Sequence, residues 1–133
     1  MMLELPIKSK CQVEFIDITA AIQSLLASSA PKNGFCLIFV PHTTAGITIN
    51  EHADPSVAGD IIKALDHLLP PNLNFRHLEG NSPAHFKASL VGSSVTIMIE
   101  EGRPKLGTWQ GIFFCEFDGP RHRQVWIKTW PAA

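Results

Sequence analysis

Apolar and polar positions along the chain predict strands at both ends and helices between them. Residues 3–16 alternate loosely, as one or two strands broken near Lys8-Ser9-Lys10. Ile18, Ala21, Ile22, Leu25 and Leu26 then recur at helical spacing, with Asp17 as the expected N-cap and Pro31 and Asn33-Gly34 as the stop. Residues 35–40 form an unbroken apolar run between turn residues. That predicts a strand covered on both faces, with His42 at its C-terminal end. In the next strand Ile47 and Ile49 point one way, Thr48 and Asn50 the other.

Asp54-Pro55 opens a second helix, with the Asp as cap and the Pro at the first helical position. Val57, Ile61, Leu65 and Leu68 make its apolar stripe, and Pro70-Pro71 stops it. Residues 71–80 read as loop. A short third helix starts at Ser82-Pro83 and ends at Gly92. The last forty or so residues predict antiparallel strands, broken by Glu101-Gly102-Arg103-Pro104 and Asp118-Gly119-Pro120. The expected fold is a single α+β domain over 1–133, mainly antiparallel sheet packed with two longer helices and one short one.

Composition narrows the function. Apolar residues make up 45% of the 133 and charged residues 17%, so extra apolar surface is expected to be covered by copies of the same chain. The net charge of −1 gives no reason to expect nucleic acid or an anionic membrane as partner. Cys11, Cys36 and Cys115 form no C-x-x-C, and the latter two sit in apolar runs as buried thiols. Residues 1–10 carry no apolar core of signal-peptide length and no run reaches membrane-spanning length, so a cytoplasmic location is expected.

The reactive side chains gather in few places. Of six histidines, all but His122 lie between 42 and 85. His42 at a strand end is either a metal ligand or base, or a loop histidine bonded to a neighbouring hydroxyl. His77 and His85 bracket a turn at a helix start. Backbone N–H groups at Asn81, Ser82 and their successors would suit a phosphate or carboxylate there, unless Ser82 merely caps the helix. Asn50 and Glu51 end a strand. Glu51 is a candidate general base or orienter of a ligating histidine, whereas Asp54 has an alternative role as a cap. Trp109 beside Gln110 would suit a flat heterocycle, or else Trp109 is core or interface and Gln110 caps a backbone group. Arg103, Arg121 and Arg123 would serve an anion, or are solvated near hairpin ends. His52, His67 and His122 have no assigned role. There is no Walker loop, dinucleotide fingerprint, H-E-x-x-H or G-x-S-x-G.

Taken in order, Val40-Pro41-His42-Thr43-Thr44-Ala45, Ile49-Asn50-Glu51, Asp54-Pro55-Ser56-Val57, His77, Glu79-Gly80-Asn81, residues 84–92, Gly107-Thr108-Trp109-Gln110 and Asp118-Gly119-Pro120-Arg121 resemble the YjbQ family over nearly the whole chain. That family is also named for secondary thiamine-phosphate synthase activity. The resemblance implies an α+β homotrimer with a pocket lined by His42, His77 and His85, and with Asn50, Glu51 and Asp54 near it. It implies a divalent metal on the three histidines, zinc first, with magnesium an option for a diphosphate substrate. The implied reaction joins a pyrimidine diphosphate to a thiazole phosphate. Glu51, Asp54 and Asn50 would act in catalysis, and Trp109, Gln110, Arg103 and Asn81 would bind this phosphorylated substrate. Two other readings stand beside it, a metal-assisted hydrolase with Glu51 as base and a non-catalytic trimeric metal-binding protein.

Overall fold

The computed structural model describes residues 2–133. Two antiparallel sheets and one helical layer stack on one another. The larger sheet holds β1 (Met2–Lys8), β8 (His122–Pro131), β3 (Gly34–Phe39), β5 (Ser94–Glu100) and β6 (Arg103–Pro104), in that order. The smaller holds β2 (Glu14–Asp17), β7 (Gln110–Glu116) and β4 (Ala45–Glu51). Helix α1 (Thr19–Ser29) packs by β6 and β7, while α2 (Pro55–His67) and α3 (Ser82–Val91) cover the outer side of the small sheet.

Period-two alternation builds the core between the sheets. Cys36 and Ile38 from β3, Ile97 and Ile99 from β5, and Val125 and Ile127 from β8 face Ile47, Ile112 and Phe114 of the small sheet. Ile22 and Leu26 of α1 close one end of this core. The next residues along β7 point the other way. Phe113, Cys115 and then Phe117 meet Leu65 of α2 and Ala84 and Ala88 of α3 in a second cluster. Burial pushes the thiol of Cys36 up to about 11, and that of Cys115 further up.

Several expectations are corrected. The strand covered on both faces is β7, not β3. Phe35, Leu37 and Phe39 of β3 lie on the outer face of the large sheet, where Phe35 stacks on Trp130 and Phe39 on Trp126. An apolar run alone does not separate a two-sided strand from one with an apolar open face. The N-cap of α1 is Ile18. Asp17, one residue earlier, accepts from the Thr19 amide (3.0 Å) and hydroxyl (2.6 Å). Leu68 falls beyond α2 and is exposed, because the helix ends before the Pro70-Pro71 stop. The third helix, at ten residues, is nearly as long as the eleven-residue first.

Among the described residues no helix is long and apolar enough to cross a membrane.

Candidate functional site

The strand β3 leads into Val40, whose amide donates to Ser93 O at 2.7 Å, and then into Pro41-His42-Thr43-Thr44 before β4 begins. This turn places His42 against β8. Its Nε2 lies 3.0 Å from the Gln124 amide nitrogen and 3.2 Å from the Gln124 carbonyl oxygen. With Nε2 bare, it accepts the Gln124 N–H. With Nε2 protonated, it donates to the carbonyl. In both tautomers Nε2 is tied to β8 and Nδ1 is left for other partners. Burial and then the nearby Arg123 charge lower the His42 pKa, against opposing contributions from the Gln124 contact and Glu116, so the imidazole is neutral at pH 7.

Two more histidines face the same space. His85 sits near the start of α3, and its ring meets that of His77 edge-on, with centroids 5.3 Å apart. His77 lies in the exposed connection between α2 and α3, with Nε2 4.0 Å from Glu79 Oε1. Together His42, His77 and His85 line a cleft of about 380 Å3, with Glu79, Asn81 and Arg121 around it. A neighbouring cavity of about 360 Å3 shares His42, Thr43 and His85 and runs along α3 to Ser89. Of the backbone N–H groups expected to receive an anion at this helix start, those of Ala84 and His85 both donate to Asn81 O. Ser82 does not cap the helix. Asn81 is the N-cap, without a side-chain cap bond.

Beneath the cleft lies a buried ion pair that the sequence reading passed over. Arg123, read in the sequence as either an anion contact or a solvated residue, is 8% exposed, and Glu116 is fully buried. Arg123 Nε donates to Glu116 Oε1 at 2.9 Å, and its Nη2 reaches both Glu116 Oε2 and Thr44 Oγ1. Ser9 Oγ donates to Glu116 Oε1 at 2.7 Å, and the Asp118 amide donates to Oε2 at 3.0 Å. Burial raises the Glu116 pKa, but the bonds from Arg123, Ser9 and Asp118 outweigh it and hold the carboxyl below its ordinary value. Asp118 takes a similar part at the rim, accepting from Asn81 Nδ2 at 2.9 Å and Arg121 Nη2 at 2.8 Å.

The remaining candidates stand elsewhere in the same chain. Strand β4 runs seven residues from Ala45 to Glu51, which carries Asn50 and Glu51 roughly 20 Å from the cleft at about 3.3 Å per residue. Glu51 there pairs across the ladder with Gln110. Gln110 Oε1 accepts from the Gly107 amide at 2.8 Å, as a loop clamp. Asn50 Oδ1 accepts from the Glu51 amide at 2.7 Å, and Asp54 Oδ1 accepts from the Ser56 amide at 2.9 Å, the helix cap foreseen for it. Trp109 is 63% exposed at this end. Arg103 lies on β6 at another edge, in a hollow against Gln23 and Ser24 of α1. The structure thus gathers His42, His77, His85 and Asn81, and leaves Asn50, Glu51, Asp54, Trp109, Gln110 and Arg103 outside the cleft of one chain.

His52, set aside in the sequence, has a defined place at that far end. Its Nδ1 is 2.8 Å from Asp17 Oδ2, and its ring occupies the space a side chain at Gly111 would need.

The imidazoles around the cleft are the donor type zinc takes. Among the described residues, however, no three His, Cys, Asp or Glu side chains converge closely enough to hold a metal ion.

Comparison with known proteins places this architecture. The family description "UPF0047 protein YjbQ-like" matches residues 3–132. A UPF0047 protein of Methanocaldococcus jannaschii is 59% identical, over 96% of this chain and 93% of its own. UPF0047 protein YugU of Bacillus subtilis is 50% identical, over 96% of this chain and 98% of its own. A crystal structure of a YjbQ/UPF0047 family protein from Clostridium acetobutylicum superposes with a TM-score of 0.92 at 52% identity, covering 96% of this chain and 99% of the other. A YjbQ-like protein from Sulfolobus solfataricus superposes with the same TM-score, 0.92, at 32% identity, covering 99% and 97%. With its two antiparallel sheets, its three helices and its full-length matches, the chain belongs to the UPF0047 family of YjbQ-like proteins.

Proposed function

We propose that the cleft between the β3–β4 turn, the start of β8 and the start of α3 is the active site of an enzyme acting on small phosphorylated substrates, of the thiamine-phosphate synthase type. In that reaction a pyrimidine diphosphate loses its diphosphate, and the exocyclic methylene carbon that carried it bonds to the nitrogen of a thiazole phosphate. The observation that carries the reading is the convergence of His42, His77, His85, Asn81 and Arg121 on one cleft of about 380 Å3.

The residues supply what diphosphate departure needs. Arg121 is half exposed at the rim, where its guanidinium can face both Asp118 and an incoming phosphate. His42, neutral and anchored through Nε2, presents Nδ1 as a fixed hydrogen-bonding group. His77 and His85 offer two further imidazoles, able to donate to phosphate oxygens and to pass a proton to the departing diphosphate. By donor type these imidazoles suit zinc, and a diphosphate suits magnesium, but they would have to close on the ion, because as they stand, among the described residues, no three converge closely enough to hold one. When bound, that cation would neutralise the leaving group's charge.

Trimer formation belongs to the same proposal. It is supported by the open aromatic face of the large sheet, where Phe35, Phe39, Trp126 and Trp130 stack in pairs.

The test is incubation of the purified chain with a pyrimidine diphosphate and a thiazole phosphate, with products read by mass spectrometry. Thiamine phosphate and free diphosphate in equal amounts, lost in His85→Ala, are expected. Hydrolysis of the pyrimidine diphosphate without coupling, or no turnover, would overturn the synthase reading.

A further inference from the structure

Arg123 reaches the histidine cleft from below. It lines the cleft together with His42, His85 and Arg121, although its side chain is only 6% exposed. A guanidinium carries five N–H donors. Three are engaged here, that of Nε with Glu116 Oε1 and the two of Nη2 with Glu116 Oε2 and Thr44 Oγ1. The two on Nη1 have no hydrogen-bond partner among the described residues. Yet Nη1 is not sealed off, because among the described residues the side-chain atom that is both buried and unpartnered is Asn81 Oδ1. The Nη1 donors therefore open onto the cleft that Arg123 lines.

This donor pair is fixed before any ligand arrives. Glu116 and Thr44 hold the guanidinium, and Glu116 is itself held by the Ser9 hydroxyl and the Asp118 amide. A side chain already ordered loses little freedom on binding. A charged donor of this kind suits an oxyanion. His77, His85 and Arg121 offer further donors around the same space, more than the two oxygens of a carboxylate would use, which favours phosphate. Glu79 is the one carboxylate lining the cleft. It is 71% exposed and 4.0 Å from His77 Nε2, so water screens its repulsion of an anion.

We propose that Arg123 is the phosphate-binding residue at the floor of the cleft, with Nη1 donating to an oxygen of the bound group. This inference rests on the proposed function and adds the residue that receives the inner side of the phosphate. Arg121, two positions earlier and half exposed, faces the outer side. Arg123 then has two roles, joining β8 to β7 through Nε and Nη2 and contacting the ligand through Nη1.

The experiment follows the arginine side-chain nitrogen signals of the wild type by NMR, assigned through their bonds to the backbone, during titration with inorganic diphosphate. The Arg123 signals are expected to shift saturably, in step with binding. Arg123→Lys keeps a cation beside Glu116, but its three donors leave fewer for a ligand once Glu116 and Thr44 are satisfied. With its fold checked by circular dichroism, it is expected to bind diphosphate about tenfold or more weakly.

Diphosphate that shifts Arg121 and leaves Arg123 unmoved, or that binds folded Arg123→Lys as tightly as the wild type, would overturn the inference and leave the proposed function standing. Titration with inorganic phosphate and with sulfate covers the opposite case. If diphosphate fails to bind but either of these shifts Arg123, the inference stands and the diphosphate reading falls. Arg123 signals unmoved by every one of these oxyanions would overturn the inference without involving any variant.

Discussion

Arg123 and Glu116 meet side by side under the histidine cleft, with Arg123 Nε 2.9 Å from Glu116 Oε1 and Arg123 Nη2 reaching on to Thr44 Oγ1 at 2.8 Å. The pair joins β8 to β7 and supports the turn that carries His42. Because both side chains are buried, removing one leaves the other as an unmatched charge. Glu116→Ala or Arg123→Ala is expected to cost about 3–5 kcal/mol each in urea denaturation, and the double variant less than the sum. Additive losses would mean that the two residues act independently.

The same groups set the acid limit of stability. Glu116 has a folded pKa below its ordinary value of 4.5, so its stabilising contribution is complete above that value and is lost as the pH falls through the folded pKa. His42 has a folded pKa below 6.5, so the unfolded chain binds its proton more readily. It therefore opposes folding as the pH falls below 6.5, and stability rises with pH up to that point. Denaturant midpoints measured from about pH 2 to 8 should fall in two stages on the acid side, and His42→Gln should remove the upper stage. A wild-type midpoint constant between pH 5 and 7 would contradict this.

How far the sequence revealed these features depends on the kind of signal. Helix α2 was legible because Asp54-Pro55 is a cap followed by a residue suited to the first helical turn, and the structure has both in place. Strand β5 was legible from the alternation of Val95, Ile97 and Ile99. Arg123 and Glu116 were also legible in principle. Arg123 shares strand parity with Val125 and Ile127, and Glu116 with Ile112 and Phe114, so two opposite charges sit on core faces. What sequence spacing did not reveal was distance between elements. Glu51 lies only nine positions from His42, yet β4 is extended and carries it to the other end of the sheet. His85 is forty-three positions from His42, yet α3 folds back over the start of β4 and brings it beside the turn.

The far end of β4 should behave independently of the cleft. A methyl group at Gly111 would collide with the His52 side chain. Gly111→Ala should cost about 1–3 kcal/mol as the ring is displaced from Asp17, a size usual for overpacking. Diphosphate binding, read by calorimetry, should be unchanged. A loss of binding would show that the two ends are coupled.

Metal content tests the imidazole set. His77 and His85 would have to close on His42 to complete a metal site, so elemental analysis of the wild type dialysed after zinc is added is expected to find about one zinc per chain. It should be absent from His42→Ala, His77→Ala and His85→Ala and retained in Glu51→Gln. Wild-type protein without metal, or metal retained in all three histidine variants, would remove the cation from the proposal.

The most direct measurement is calorimetric titration of the wild type with inorganic diphosphate, beside Arg121→Met and His85→Ala. The account predicts one site per chain in the wild type and binding weakened by about tenfold or more in each variant, the size of a lost charge-assisted hydrogen bond. Diphosphate that fails to bind, or that binds all three proteins equally, would contradict the assignment of the His42, His77 and His85 cleft to a phosphorylated substrate.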